Sequence, residues 1–171
     1  WRETLMAGQP FAANPLNKTA YPLQWLALLL PPVLHLDLLI ILHLFVAGAG
    51  MWVWARLLGL RQEAAAFSAL AYALAPRVIG HTGAGHLDLL YALAWFPWLM
   101  ASVERLLRGQ FRLSRILLVA LFASLVLLAD VRLSFFAYSL AGAYTLVEAY
   151  RQRRAAILLR FLPVLLLVAL I

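Results

Sequence analysis

Residues 36–58 read LDLLIILHLFVAGAGMWVWARLL, an apolar run with one acidic and one basic side chain. A helix that crosses the roughly 30 Å hydrocarbon core of a bilayer needs about 20 predominantly apolar residues, so this run predicts a membrane-spanning helix. The whole chain shares its character: 65% of the residues are hydrophobic and 12% are charged, whereas soluble domains are about half apolar and a quarter charged. We therefore expect the bilayer to be its solvent.

Further apolar runs, each bounded by charged or turn residues, predict five more helices. They cover residues 64–80, 87–107, 115–129, 133–150 and 156–171. The predicted fold class is all-α, a polytopic transmembrane helix bundle of about six spans. The run 115–129 is short for a span. A five-span bundle, in which this run joins the next through a bend near Ala129 and Asp130, is therefore the alternative.

Two regions are expected along the chain. Residues 1–35 form an extracytoplasmic loop and residues 36–171 form the transmembrane bundle, which we expect to be incomplete at both ends because the chain starts at Trp1 and stops inside an apolar run. Within the loop, residues 21–32 read YPLQWLALLLPP. This segment is too short to cross a bilayer and favours an interfacial helix on the membrane surface.

The basic residues predict the orientation. Alternating the connections between two sides places ten of the 14 Lys and Arg residues on one side and four on the other. The larger group contains Arg56, Arg61, Arg105, Arg108, Arg112, Arg115, Arg151, Arg153, Arg154 and Arg160. The smaller group contains Arg2, Lys18, Arg77 and Arg132. Because the side richer in Lys and Arg is usually cytoplasmic, the opening loop faces outward and a further span is expected before Trp1.

Composition excludes several functions. The chain has no cysteine, which rules out disulfides, thiolate metal sites and a cysteine nucleophile. Its net charge is +7. In a membrane protein such an excess of Lys and Arg mostly reflects the orientation of the chain relative to the anionic inner leaflet. The expected partner is therefore the lipid bilayer, and no nucleic-acid partner is expected.

Ionisable side chains gather in the outward half of the predicted bundle. All four histidines and all three aspartates fall there, and such groups at membrane depth usually face a bundle interior or an aqueous cavity. We therefore predict a polar site that opens outward. Its candidate substrate-binding residues are His43, His81, His86, Asp88, Asp130 and Arg132. For His43, a hydrogen-bonded packing role inside the first span is the alternative.

Residues 76–88, PRVIGHTGAGHLD, are the most suggestive part of this site. Three glycines within six residues predict a pliable outward turn whose backbone can approach a ligand closely. The turn carries His81 and His86 just before Asp88. Three interpretations stay open for these side chains: substrate contact, a divalent metal site, and turn or cap chemistry. The spacing matches no established metal motif.

Two charged pairs and one proline carry further predictions. Asp130 and Arg132 would not face each other on a regular helix, so an ion pair between them requires a broken backbone. Arg132 is either a structural cap or a phosphate ligand, because its planar guanidinium suits phosphate. Glu104 and Arg108 are predicted to form an ordinary surface pair at i, i+4 spacing. Pro97 is expected to kink the third span.

Several landmarks occur in an order that resembles bacterial polytopic glycosyltransferases of the GT-C class, in particular the YfhO-like branch. The resemblance covers about residues 1–150. The matching segments are GQPFAANP at residues 8–15, Tyr21-Pro22, His43 ahead of Ala47-Gly48, RLLGL at 56–60, AYAL at 71–74, and Gly85-His86 leading to AWFPW at 94–98.

The resemblance implies an enzyme that takes a sugar from a polyprenyl-phosphate carrier and transfers it outside the cytoplasmic membrane of a bacterium. It also implies a catalytic aspartate in the first outward loop. No aspartate precedes Asp37, so we expect that base upstream of Trp1. The chain would then supply the wall of the site, with His81, His86, Asp88 and Arg132 near the carrier phosphate or the sugar.

Two other functions remain as alternatives. One is a non-catalytic integral membrane subunit of a larger complex, whose partners would be other membrane subunits. The other is a transporter, although neither inverted halves nor charges near the bilayer centre are seen in the sequence.

Overall fold

The computed structural model describes residues 17–109, 111–153 and 155–169, together with Gly8 and Asn14. Every regular element in these ranges is helical, which confirms the all-α class. The helices are a 3₁₀-helix (Pro22–Leu28), α1 (Pro32–Leu57), α2 (Gln62–Ala73), α3 (Pro76–Gly83), α4 (Leu87–Arg108), α5 (Leu113–Ala129), α6 (Val131–Arg151), a second 3₁₀-helix (Ala155–Phe161) and α7 (Leu162–Ala169). Most of the segment GQPFAANP, as well as Arg2 and Arg154, lies outside the described residues.

Four of the predicted helices agree with α1, α4, α5 and α6 to within a few residues at each end. The helix predicted at 64–80 is wrong, because the chain there forms two helices that are separated at Leu74 and Ala75. Pro76 explains the break: a proline disfavours helical backbone at the preceding residue, and Ala75 has a ψ of 136°. The run predicted at 156–171 is divided between the second 3₁₀-helix and α7 as far as residue 169, and residues 170 and 171 lie outside the described residues.

Helix α4 lies at the centre of the bundle. It packs against α1, α3, α5 and α6, and most of its residues from Leu90 to Leu107 are buried. Gly50 lets α1 approach closely, because a Cβ atom at this position would lie 2.6 Å from the indole of Trp98. The same indole donates a hydrogen bond of 2.9 Å to the Val46 carbonyl.

The outer surface of the bundle is rich in large apolar side chains. They lie on both 3₁₀-helices and on every α-helix except α4, and include Ile41, Phe45, Phe67, Leu117, Phe135, Leu140 and Leu165. Among the described residues, α1 alone is both long and apolar enough to cross a membrane, and only 28% of its most apolar stretch is buried. The six-span arrangement stays a prediction.

Arginines at one end of the bundle cap the C-termini of α1 and α4. Arg108 donates to the Leu57 carbonyl at 3.0 Å, and Arg160 donates to the Leu106 and Gly109 carbonyls, both at 2.9 Å. These carbonyls have no partner within their own helix, and cations stabilise them. We call this the arginine-rich end.

Glu104 lies just inside the arginine-rich end, and its predicted surface location is wrong. Its side chain is 1% exposed, because α6 covers it. One carboxylate oxygen accepts a hydrogen bond from the Tyr144 hydroxyl, and the other pairs with Arg108. The pair at i, i+4 spacing therefore exists, but its acidic partner belongs to the bundle interior.

Candidate functional site

A polar cavity of about 420 Å³ lies at the end of the bundle opposite the arginine-rich end. Its wall is built from α3, α4, the start of α6 and the residue that joins α5 to α6. It is lined by Arg77, His81, His86, Asp88, Leu89, Asp130, Arg132, Leu133 and Phe136. The cavity thus brings together five of the six predicted site residues, and its volume is within the usual range for small-molecule sites.

Helix α3 supplies part of this wall, and it corrects the prediction for residues 76–88. The expected flexible turn begins instead with a helix, because Pro76 occupies its first turn, where the fixed φ of proline is favourable. Arg77 and His81 are four residues apart and so share a helix face. The turn itself is confined to Ala84–His86, where Gly85 has a φ of +80°. This turn places the ring centroids of His81 and His86 5.5 Å apart.

The backbone breaks at Asp130, as the sequence requires for an ion pair with Arg132. Asp130 has extended backbone and caps the N-terminus of α6, accepting from the Arg132 amide at 2.8 Å and the Leu133 amide at 3.3 Å. The Arg132 guanidinium donates to both carboxylate oxygens, at 3.1 and 3.0 Å. The ion pair therefore exists, together with the backbone break that it requires.

Electrostatics keep Asp130 ionised although it is mostly buried. Burial by itself raises the pKa of this carboxyl. The guanidinium of Arg132 and the amides of Arg132 and Leu133 act in the opposite direction and leave the pKa below its usual value. The Arg132 side chain is 67% exposed, so it still offers donors to a ligand while it holds Asp130.

Lys18 is a member of the site that the sequence did not reveal. Its ammonium pairs with Asp88, and the other Asp88 oxygen lies 3.6 Å from Arg132. The charged groups therefore form a series from Lys18 through Asp88 and Arg132 to Asp130. Lys18 precedes Asp88 by 70 residues, and no local pattern connects them. From the sequence, Lys18 could be recognised only as one of the four basic residues on the outward side.

His43 is not part of the polar cavity. It is fully buried in α1 and stacks on Tyr91 with ring centroids 4.2 Å apart. Its Nδ1 lies 2.6 Å from the Leu39 carbonyl, and its Nε2 lies 2.6 Å from the Tyr21 hydroxyl. The structure therefore places it in the packing role that the sequence left as its alternative.

The hydrogen atoms of this buried network can be assigned from the chemistry of the groups. Trp95 Nε1 can only donate, and it does so to the Tyr21 oxygen at 2.7 Å. The Leu39 carbonyl can only accept, so His43 carries its proton on Nδ1. The single Tyr21 proton then goes to His43 Nε2. This series joins the segment before α1 to both α1 and α4.

The chemistry of the polar cavity favours anion binding over metal binding. Among the described residues, no three His, Cys, Asp or Glu side chains converge in a way that could hold a metal ion. Two guanidinium groups line the cavity, and among the described residues no carboxylate forms an ion pair with Arg77. Lys18 is a third cation near the cavity. Because only two carboxylates, Asp88 and Asp130, accompany these three cations, the net charge of the described groups is positive. Imidazoles beside these cations can donate or accept hydrogen bonds.

Comparison with known proteins adds no relative to this picture: no protein-family model, no curated protein and no solved structure matches the chain.

Proposed function

We propose that this chain is part of a multi-pass membrane protein that resembles GT-C glycosyltransferases, and that its polar cavity receives the phosphate of a polyprenyl-phosphate-linked sugar on the outer side of a bacterial cytoplasmic membrane. The observation that carries the proposal is the convergence of Arg77, Arg132 and two histidines on one cavity. Guanidinium groups bind phosphate through paired, charge-assisted hydrogen bonds.

The multi-pass arrangement is supported by helix length and by the apolar outer surface. Helix α4 has 22 residues and α6 has 21, which at a rise of about 1.5 Å per residue gives about 33 and 32 Å, close to the thickness of a hydrocarbon core. Their charged residues lie towards the helix ends. Large apolar side chains face outward on α1, α2, α5 and α6, as expected where lipid replaces water.

Orientation follows from the two ends. The polar cavity lies with Lys18, Arg77 and Arg132, whereas most basic residues lie at the arginine-rich end. A cytoplasmic arginine-rich end places the cavity outside, where the polyprenyl-linked sugar would be used. The exposed Trp25, Leu28 and Leu29 beside α1 would then lie in the outer membrane interface.

Titration with a polyprenyl phosphate in detergent micelles tests the proposal. Arg77→Ala is the main variant, because Arg132 also holds Asp130. We expect the Kd to rise about tenfold, which corresponds to one lost charge-assisted hydrogen bond. Arg132→Ala should weaken binding similarly. Arg105→Ala, an exposed arginine at the opposite end, is the matched control and should bind as the wild type does. Equal binding by all three variants would reject the site.

A non-catalytic membrane subunit is the second candidate, and one observation favours it. A shallow apolar groove between α1 and α2 is floored by small residues, including Gly48, Ala69 and Ala73, and such surfaces suit close helix packing in membranes. Purification in mild detergent separates the two functions. A stable complex without sugar transfer supports the subunit, and transfer by the isolated full-length protein supports the enzyme.

A further inference from the structure

An apolar cleft of about 300 Å³ lies between α6 and α7, with α4 and α5 as its floor. Helix α7 packs on α5 and on the 3₁₀-helix before it, while α6 packs on α4 and α5. The two outer helices therefore leave a gap between them. Leu99 and Val103 of α4 and Val119 and Ala123 of α5 form the base of this gap.

The side chains in the wall of the cleft offer water no free hydrogen-bond donor. Its two polar side chains are Tyr138 and Thr145. The Tyr138 hydroxyl donates to the Ala123 carbonyl at 2.7 Å, and the Thr145 hydroxyl donates to the Ala141 carbonyl at 2.7 Å. A buried water needs two to four polar partners, and apolar cavities instead take apolar guests. The cleft is thus suited to hydrocarbon.

The cleft opens sideways onto the apolar surface of the bundle. Its mouth is formed by Gly142, Leu146 and Leu165, which are all exposed, and a Cβ atom built on Gly142 would meet nothing within 4 Å. In a bilayer this mouth would face lipid chains directly. No segment of the described chain covers it.

The charge at this end of the bundle indicates which lipid would lie there. Thr145 and Leu146 lie within two turns of Glu148 and Arg151 at the end of α6, and Leu158 of the cleft wall is close in sequence to Arg160. The described cations of the arginine-rich end clearly outnumber its acids, Glu63, Glu104 and Glu148. Such a basic end attracts anionic headgroups.

We propose that the cleft between α6 and α7 binds one alkyl chain of an anionic phospholipid, with its headgroup at the arginine-rich end. This inference rests on the membrane location in the proposed function, but not on sugar transfer. The site is separate from the polar cavity, because the two lie towards opposite ends of α4 and α6.

Native mass spectrometry of the protein, extracted from vesicles of equal parts phosphatidylcholine and phosphatidylglycerol, tests this inference. The wild type should retain one phosphatidylglycerol. Gly142→Leu fills the mouth, and retention should fall about tenfold, the effect of displacing roughly two buried methylene groups. Leucine is a better helix former than glycine, so a weakened helix would not explain the loss. Gly142→Ala should give an intermediate loss.

Gly80→Leu is the matched control, because Gly80 is also a helical glycine with open space at its Cβ position, and it should retain lipid. Undiminished lipid in Gly142→Leu, equal retention of both phospholipids, or a protein helix in place of lipid would each overturn the proposal. An alkaline wash of the vesicles is a separate readout. A chain released by that wash refutes the membrane location itself, whereas a chain that stays embedded without bound lipid refutes only the cleft.

Discussion

The Tyr72 hydroxyl donates a hydrogen bond of 2.9 Å to the Leu93 carbonyl oxygen. In a regular α4 this carbonyl would accept from the amide four residues later, but that residue is Pro97, which has no N–H. A side chain of α2 thus replaces a backbone donor that α4 lacks. The contact also fixes the short α2 to the centre of the bundle.

Tyr72→Phe should therefore lower the free energy of unfolding by about 1–3 kcal/mol, because it leaves the half-buried Leu93 carbonyl without a donor. Detergent unfolding followed by circular dichroism measures the change. The same substitution in a Pro97→Ala background is the control, since alanine restores the backbone donor and should shrink the loss. An equal loss in both backgrounds would show that the hydroxyl does not compensate for the proline.

Tyr21→Phe should detach the segment before α1. It removes the hydroxyl that links His43 to Trp95. The buried Nε2 of His43 and the half-buried Nε1 of Trp95 then lose their partners, at about 1–3 kcal/mol each. Hydrogen exchange of residues 17–30 should become faster, while exchange in α5 stays unchanged. Tyr150→Phe is the matched control, because Tyr150 is 85% exposed. Unaltered protection of residues 17–30 would show that the network does not hold this segment.

The charge on Asp130 should make the free energy of unfolding decrease as the pH is lowered. Its folded-state pKa lies below its ordinary value of 3.8, so its charge stabilises the fold above the ordinary value, and the contribution is lost as the pH falls through the folded-state pKa. The wild type should be more stable than Asp130→Asn at about pH 7, and this difference should shrink as the pH falls below 3.8. Thermal unfolding over a series of pH values measures it. A difference that persists in acid would exclude the charge as its source.

Glu104→Ala should destabilise the bundle by about 1–3 kcal/mol, because Tyr144 and Arg108 lose their buried acceptor. Glu63→Ala supplies the comparison. Glu63 is also paired with an arginine, at 3.9 Å from Arg61, but its side chain is 81% exposed, so its removal should cost less than about 1 kcal/mol. Similar losses in the two variants, measured by detergent unfolding, would show that burial of Glu104 is energetically unimportant.

Local patterns predicted much of the fold, and they failed where a distant helix decides the outcome. The bounds of α1, α4, α5 and α6 follow from apolar runs that end at charged residues. The break before α3 had a local signal in Pro76, which the apolar run obscured. Glu104 had none, because its burial depends on Tyr144, 40 residues later.

The candidate site shows the same division. His81, His86, Asp88, Asp130 and Arg132 could be grouped from sequence, because alternating helices bring the turns at one end of a bundle together. Lys18 and His43 could not be placed in this way. One reaches Asp88 from a segment that folds back over α4, and the other lies deep enough in α1 to be enclosed by aromatic rings.

Because the chain is synthesised from its N-terminus, the hydrogen-bond partners of His43 are made in a fixed order. Tyr21 and the Leu39 carbonyl are both synthesised before Trp95, so both ring nitrogens of His43 can find partners while the ribosome has yet to produce α4. Helix α1 can thus form with both ring nitrogens of its histidine already paired. Tyr91 and Trp95 are synthesised later, and they enclose a histidine ring whose two nitrogens already have hydrogen-bond partners.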